Sequence, residues 1–239
     1  MNTKNRFFWI FLAAITGICG CKEKHDTAFD GYLYPYDSLI TPKVFVYRRT
    51  DTTGSYFCRY KKVVVENGKK FLITTSLSEQ TMKDSSKNLI TGENAEPVDI
   101  YVLMKTKGGS ASSLTKGVIK EYEFSDKYRL LDVLYENPFK ESSSQVQVES
   151  NFNSFVTMKY HNKSYNCLLF DDVYKFKFKN KNKNAPASAN SFSLKYKSVL
   201  AKGLGMIQYT LMDKKNKHTY NWELDTIIDY SKFIELIKK

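Results

Sequence analysis

The chain has 239 residues, a net charge of +12, and 15% aromatic residues with only 11 Gly and 5 Pro, so it is long enough to bury a core as one large β domain or two small ones. After residue 21 no segment approaches the ~20 apolar residues that a membrane-spanning helix needs, which excludes a helical membrane protein beyond its leader. The surplus of Lys and Asn fits an AT-rich genome as well as a functional choice, although a basic surface also attracts anionic partners such as lipopolysaccharide, acidic glycans or nucleic acid.

The first 20 residues read as a signal peptide: Lys4 and Arg6 form a basic n-region, Phe7 to Ile18 an apolar h-region, and small residues follow. Ile18-Cys19-Gly20-Cys21 resembles the bacterial lipobox. That resemblance implies cleavage before Cys21, a diacylglycerol on its thiol and an acylated amine, with the acyl chains holding the protein to a membrane at ~0.8 kcal/mol per buried CH₂. The alternative is an ordinary secretory signal with Cys21 a structural thiol. Lys22, in place of the Asp that retains enterobacterial lipoproteins in the inner membrane, implies the outer membrane. Lys22-Glu23-Lys24-His25-Asp26 loosely resembles the charged signal that carries lipoproteins of the Bacteroidota to the cell surface, so both the periplasmic face and the surface stay open. Loss of residues 1–20 removes Lys4 and Arg6 and leaves +10.

Residues 21–30 form a lipidated tether, and 31–239 a β-rich domain. Lys43 to Arg48 is β-branched and aromatic, as strands are. Tyr56 to Glu66 and Lys69 to Ser76 flank Asn67-Gly68, a type I′ hairpin signal. Residues 78–95 are polar with little periodicity and read as a loop with a helical turn. Val98 to Lys105, Gly117 to Phe124, Tyr128 to Tyr135, Gln145 to Glu149 and Phe152 to Tyr160 are further strand candidates, and the turn-rich 137–144 is a possible boundary between two subdomains.

Tyr174-Lys175-Phe176-Lys177-Phe178-Lys179 alternates strictly, which puts aromatics on one face of a strand and lysines on the other. Aromatics and lysines facing opposite ways cannot grip one nucleic acid together, so the reading is a strand with its aromatic side in the core, and no nucleic-acid partner is expected. Asn180 to Ser191 is low-complexity. Gly203-Leu204-Gly205 lacks the rest of a phosphate loop and reads as a bulge or bend in a long strand. Gly205 to Met212 and Thr219 to Asp225 should pair as a hairpin. Ile227, Ile228, Tyr230, Phe233, Ile234 and Ile237 suit an amphipathic C-terminal helix packed on the sheet.

Lys163-Ser164-Tyr165-Asn166-Cys167 and Leu200-Ala201-Lys202-Gly203-Leu204-Gly205-Met206-Ile207 together resemble the C-terminal half of the TapB-like lipoproteins of Bacteroidota. The resemblance implies a curled antiparallel sheet like a half-barrel, and it implies no catalytic residues.

Chemistry-bearing residues are sparse. Cys58 and Cys167 would be bridged or be two separate thiols, since an oxidising envelope permits either. No CxxC or Cys/His cluster suggests a metal or cofactor. His25, His161 and His218 lack ligand spacing. Asp171-Asp172 would face opposite sides of a strand, and none of the familiar hydrolase motifs is present. These features favour a non-enzymatic binding or accessory lipoprotein with an envelope protein or glycan as partner. A carrier or sensor of an apolar ligand is the first alternative, and a hydrolase of envelope polymers the second.

Overall fold

The computed structural model describes residues 27–32, 36–51, 54–78, 81–92, 94–105, 111–139, 142–180, 190–212 and 219–237. Twelve antiparallel strands run in chain order: β1 (Lys43–Arg49), β2 (Tyr56–Glu66), β3 (Lys69–Ser78), β4 (Thr81–Thr91), β5 (Asn94–Lys105), β6 (Ser112–Phe124), β7 (Tyr128–Glu136), β8 (Ser142–Tyr160), β9 (Lys163–Asn180), β10 (Asn190–Ala201), β11 (Gly205–Met212) and β12 (Thr219–Asp229). Each pairs with its neighbour in sequence, and β1 pairs with both β2 and β12, so the sheet closes into a barrel. The half-barrel expectation is therefore corrected: closure satisfies both sheet edges, which an open curl would leave exposed. Bulges on β4, β5, β6, β8, β11 and β12, where Lys83, Val98, Lys120, Asn153, Ile207 and Asp225 are the extra residues, supply the added twist and bend that closure requires.

Two kinds of connection mark the two ends. At one end the turns are tight: Asn67-Gly68 (φ 51° and 73°) and His161-Asn162 (φ 46° and 62°) hold the left-handed backbone of type I′ hairpins. The same end carries the β10–β11 turn, where Gly203 has φ 77°. Gly203-Leu204-Gly205 is thus a reversal between strands, and the expected continuous bent strand is corrected. The opposite end carries the connections between β1 and β2, β5 and β6, β9 and β10, and β11 and β12, which include the low-complexity 181–189 outside the described residues.

The segment before β1 closes the tight-turn end. Short 3₁₀ turns at Thr27–Phe29 and Tyr36–Leu39 bring Leu39, fully buried, into the core with Val63 and Leu72. Phe29 and Tyr32 join Leu168, Phe170 and Leu200. The Gly203 N–H donates to the Gly31 carbonyl at 2.7 Å, tying this segment to the β10–β11 turn.

Alternation assigns the faces. On β9, Phe170, Asp172, Tyr174 and Phe176 point inward while Asp171, Lys175 and Lys177 point out, as the alternating sequence predicts. The outer wall is polar and charged. Lys175 pairs with Glu149 at 2.5 Å and Lys197 with Asp171 at 3.3 Å across neighbouring strands, and Lys116–Asp99 and Lys87–Glu66 do the same elsewhere. A lipid-facing wall would lose ~2–4 kcal/mol for each Lys near the bilayer midplane, so this barrel is built for water outside.

Three further expectations change. Residues 81–91, read as loop, form β4, and 94–105 form β5. The boundary proposed near 137–144 is the connection between β7 and β8, which pair along their length within the one barrel. The C-terminal helix α1 spans only Tyr230–Ile237, with Ile227 and Ile228 in β12, and it buries no residue fully. At its start the Tyr230 ring meets Tyr60 edge-on at 4.8 Å. β pairing with β1 captures the two isoleucines because their partners Phe45 and Val44 are almost wholly buried.

Candidate functional site

The barrel interior is not filled. A cavity of about 440 Å³ lies inside, and a smaller one of about 140 Å³ adjoins it, with Arg59, Arg129, Ser150 and Tyr174 lining both. The larger volume falls in the range of small-molecule sites, ~300–1,000 Å³.

Two arcs of the barrel differ in what they turn inward, and of the second only Tyr174 lines the larger cavity. One is β3 and β4, whose cross-strand pairs Leu72–Asn88, Thr74–Ser86 and Ser76–Asp84 line the cavity. The other is β9 to β11, a run of rings. Tyr174 meets Tyr196 edge-on at 4.8 Å, Tyr196 stacks on Tyr209 at 4.5 Å, and Phe176 stacks on Phe192 at 4.7 Å. Phe178 continues the stack to Phe192 at 5.9 Å, and these last two remain 39% and 49% exposed.

The charged groups are held by aromatic neighbours. The Arg129 guanidinium lies 4.5 Å from the Phe170 ring and 5.3 Å from that of Phe124, a cation–π clamp that fixes its direction. Arg59 lies 5.6 Å from the Phe57 ring and donates an Nη1–H to Met206 Sδ at 3.9 Å. Lys61, wholly buried, sits with Nζ 4.1 Å over the Phe45 ring, and burial followed by the Arg59 charge lowers its pKa well below the usual lysine value.

Asp172 is buried, and burial raises its pKa, partly offset by hydrogen bonds from Ser150 and Ser198 and by the Arg129 charge. Asp171 faces the other way, to Lys197 and to Asn153, whose Nδ2 donates to it at 2.6 Å. The two adjacent carboxyls therefore do not work as an acid/base pair, as expected for neighbours on a strand. Asp84 is exposed at the rim.

Gly117 on β6 explains how Tyr135 fits. A Cβ there would come within 2.4 Å of Val133 Cγ1 and 2.7 Å of the Tyr135 ring, its cross-strand partner. Burial and the nearby Asp84 push the Tyr135 hydroxyl up to about 12. The Tyr209 hydroxyl, hydrogen-bonded to that of Tyr174, is raised further by burial.

Of the residues singled out from sequence, Cys21 and His25 lie outside the described residues, as does His218. Cys58 and Cys167 are free thiols, and the possible disulfide between them is corrected. They stand on β2 and β9 with β1, β12, β11 and β10 between them around the wall, whereas a disulfide needs Cα atoms within ~7 Å. Cys167 is buried and donates its thiol to the Tyr165 carbonyl at 3.4 Å, and burial raises both thiol pKa values. His161 sits in its turn, where Nε2 bonds the Asp225 carbonyl oxygen at 2.8 Å and tethers the β8–β9 tip to β12. Among the described residues no three His, Cys, Asp or Glu side chains gather as a metal site. Arg59, Arg129 and the hydroxyl wall were missed in the sequence. Their only signal was a polar strand with inward positions at Asp84, Ser86 and Asn88.

No protein family and no curated protein matches the sequence. Two solved structures are similar to it. One, from Parabacteroides distasonis and assigned as a lipoprotein, is 9% identical with a TM-score of 0.48 over 82% of this chain and 98% of its own. The other, from Bacteroides fragilis and assigned as an exported protein with a YmcC-like fold, is 6% identical with a TM-score of 0.38 over 83% of this chain and 100% of its own.

Proposed function

We propose that this chain is a lipid-anchored outer-membrane lipoprotein whose barrel is a non-enzymatic binding module, holding a small ligand in its interior. The observation that carries the reading is the cavity itself, closed at the tight-turn end by Tyr36 and Leu39 and lined by guanidinium, hydroxyl and aromatic groups. The basic and apolar leader before Cys21 and the likeness of 163–167 and 200–207 to TapB-like lipoproteins support the envelope address. The charged outer wall supports a domain held at a membrane by acyl chains and not inserted in it. The aromatic wall running to the exposed Phe178 and Phe192 favours a second reading, a carrier of an apolar ligand.

Lipid at Cys21 would also orient the barrel. Thr27 follows it by six residues, a reach of at most ~20 Å, and the segment from 27 to 32 lies at the tight-turn end. That end then faces the bilayer and the loop end faces away. Two measurements test the proposal. Cys21→Ser should release the protein from the membrane fraction and abolish acyl labelling. Native mass spectrometry of the released protein should show a ligand bound one to one; an empty mass after gentle purification would end the binding reading.

A further inference from the structure

We propose that the tight-turn end of the barrel is a second membrane contact, docking its exposed apolar side chains into the surface of the bilayer to which Cys21 is anchored. This goes beyond the cavity and rests on the lipid anchor proposed above. Among the described residues the three most exposed large apolar side chains are Val65, Ile40 and Leu236, at 67%, 61% and 54%. All three belong to segments that meet at this end. Val65 precedes the Asn67-Gly68 turn, and Ile40 stands in the segment before β1. Leu236 is on α1, which follows Asp229, the partner of Lys43 at the start of β1. The Tyr230 N–H donates to the Pro42 carbonyl at 3.0 Å and so holds the first turn of α1 to the Ile40 segment.

The helix is built as surface-seeking helices are. Tyr230, Phe233, Ile234 and Ile237 recur at i, i+3, i+4 and i+7 and form an apolar stripe, with Ser231, Lys232 and Glu235 on the other face. Phe233 and Ile234 are half-buried, and the helix touches β1 and β12. Its last turn stays uncovered, with Leu236 and Ile237 both exposed. The tether decides what covers such a surface. Thr27 follows Cys21 by six residues, so acyl chains in the bilayer keep this end within ~20 Å of the membrane. Docking there is intramolecular, at an effective concentration that a free partner protein would have to match. The charges nearby are paired, Lys43 with Asp229 at 3.2 Å and Lys70, opposite Val65, with Asp37 at 3.5 Å. Apolar contact therefore carries the docking, with the side chains reaching ~5–10 Å into the boundary of headgroups and acyl chains.

The test uses the acylated full chain carrying Cys58→Ser, in which the remaining thiol, Cys167, is fully buried. A nitrobenzoxadiazole fluorophore is attached in turn through Val65→Cys, Leu236→Cys and, as the far-end control, Met212→Cys at the exposed end of β11. Each protein is reconstituted into vesicles of phosphatidylethanolamine and phosphatidylglycerol that carry phosphatidylcholine with a nitroxide on its acyl chain. Quenching at the Val65 and Leu236 positions should exceed that at the Met212 position at least about twofold, because only the first two would lie at acyl depth. Quenching at either of them that merely matches the Met212 position overturns the docking, while a radiolabelled acyl chain on Cys21 leaves the anchor standing. Absence of that acyl label removes the anchor and the docking together. If a labelled variant fails to fold, hydrogen–deuterium exchange of the acylated wild type decides. Amides of residues 230–237 should exchange more slowly on vesicles than in the Cys21→Ser protein in water, and equal rates overturn the docking.

Discussion

The wall of β3 and β4 and the wall of β9 to β11 occupy the same kind of position in the barrel and are built oppositely. The first puts Thr74, Ser76, Ser86 and Asn88 inside, and the second puts Phe170, Tyr174, Phe176, Tyr196 and Tyr209 there. Ring stacks such as Tyr196–Tyr209 fill space and hold the barrel, whereas small polar side chains leave space and contribute little packing. On the binding reading proposed above, packing is concentrated in the second arc, and the first leaves the open space.

That division can be broken from the stabilising side first. Phe170→Ala removes a ring that is 1% exposed and that packs on Phe152 and under Arg129. We expect a loss of about 3–5 kcal/mol by urea denaturation, and a loss under about 1 kcal/mol would show that the aromatic wall is not the core. Gly117→Ala should cost about 1–3 kcal/mol, because its methyl has to displace Val133 and Tyr135. The thermal unfolding midpoint reads this directly.

Lys61→Met tests the charge buried beside the cavity. Its folded-state pKa lies below its unfolded value, so over the window between the two the unfolded chain binds the extra proton. Wild-type stability should then rise with pH toward the ordinary lysine value near ~10.4. The methionine variant should be more stable at neutral pH and lose that slope; denaturation midpoints between about pH 6 and about pH 9.5 check both. Smallest of all, Ser86→Ala on the polar wall should change stability by less than about 0.5 kcal/mol yet lower the ligand-bound fraction in native mass spectrometry. A large loss of stability there would make the wall structural and erase the contrast.

The same contrast explains what could be read in advance. The Asn67-Gly68 hairpin and the alternation of Tyr174 to Lys179 were legible because turn chemistry and an apolar face are local signals. Residues 81–91 read as loop because Asp84, Ser86 and Asn88 hold the inward positions, so no apolar period remains to mark a strand. The sequence reading failed at β4 and the start of β5, while the other strands that line the cavity, such as Tyr56 to Glu66 and Tyr128 to Tyr135, were legible. Ile227 and Ile228 were drawn into a helix by spacings of one, three and four, while the buried Val44 and Phe45 opposite them settle the matter for β12.

By itself the sequence determined the β class, the hairpin at Asn67-Gly68, the inward aromatics of β9 and the opposed faces of Asp171 and Asp172, since each depends on neighbours within a few residues. Closure of the barrel by β1 and β12, the separation of Cys58 from Cys167 and the meeting of Arg59 with Arg129 were decided only by tertiary structure. Those residues lie far apart in the chain, and only the pairing register around twelve strands sets which of them share an interior.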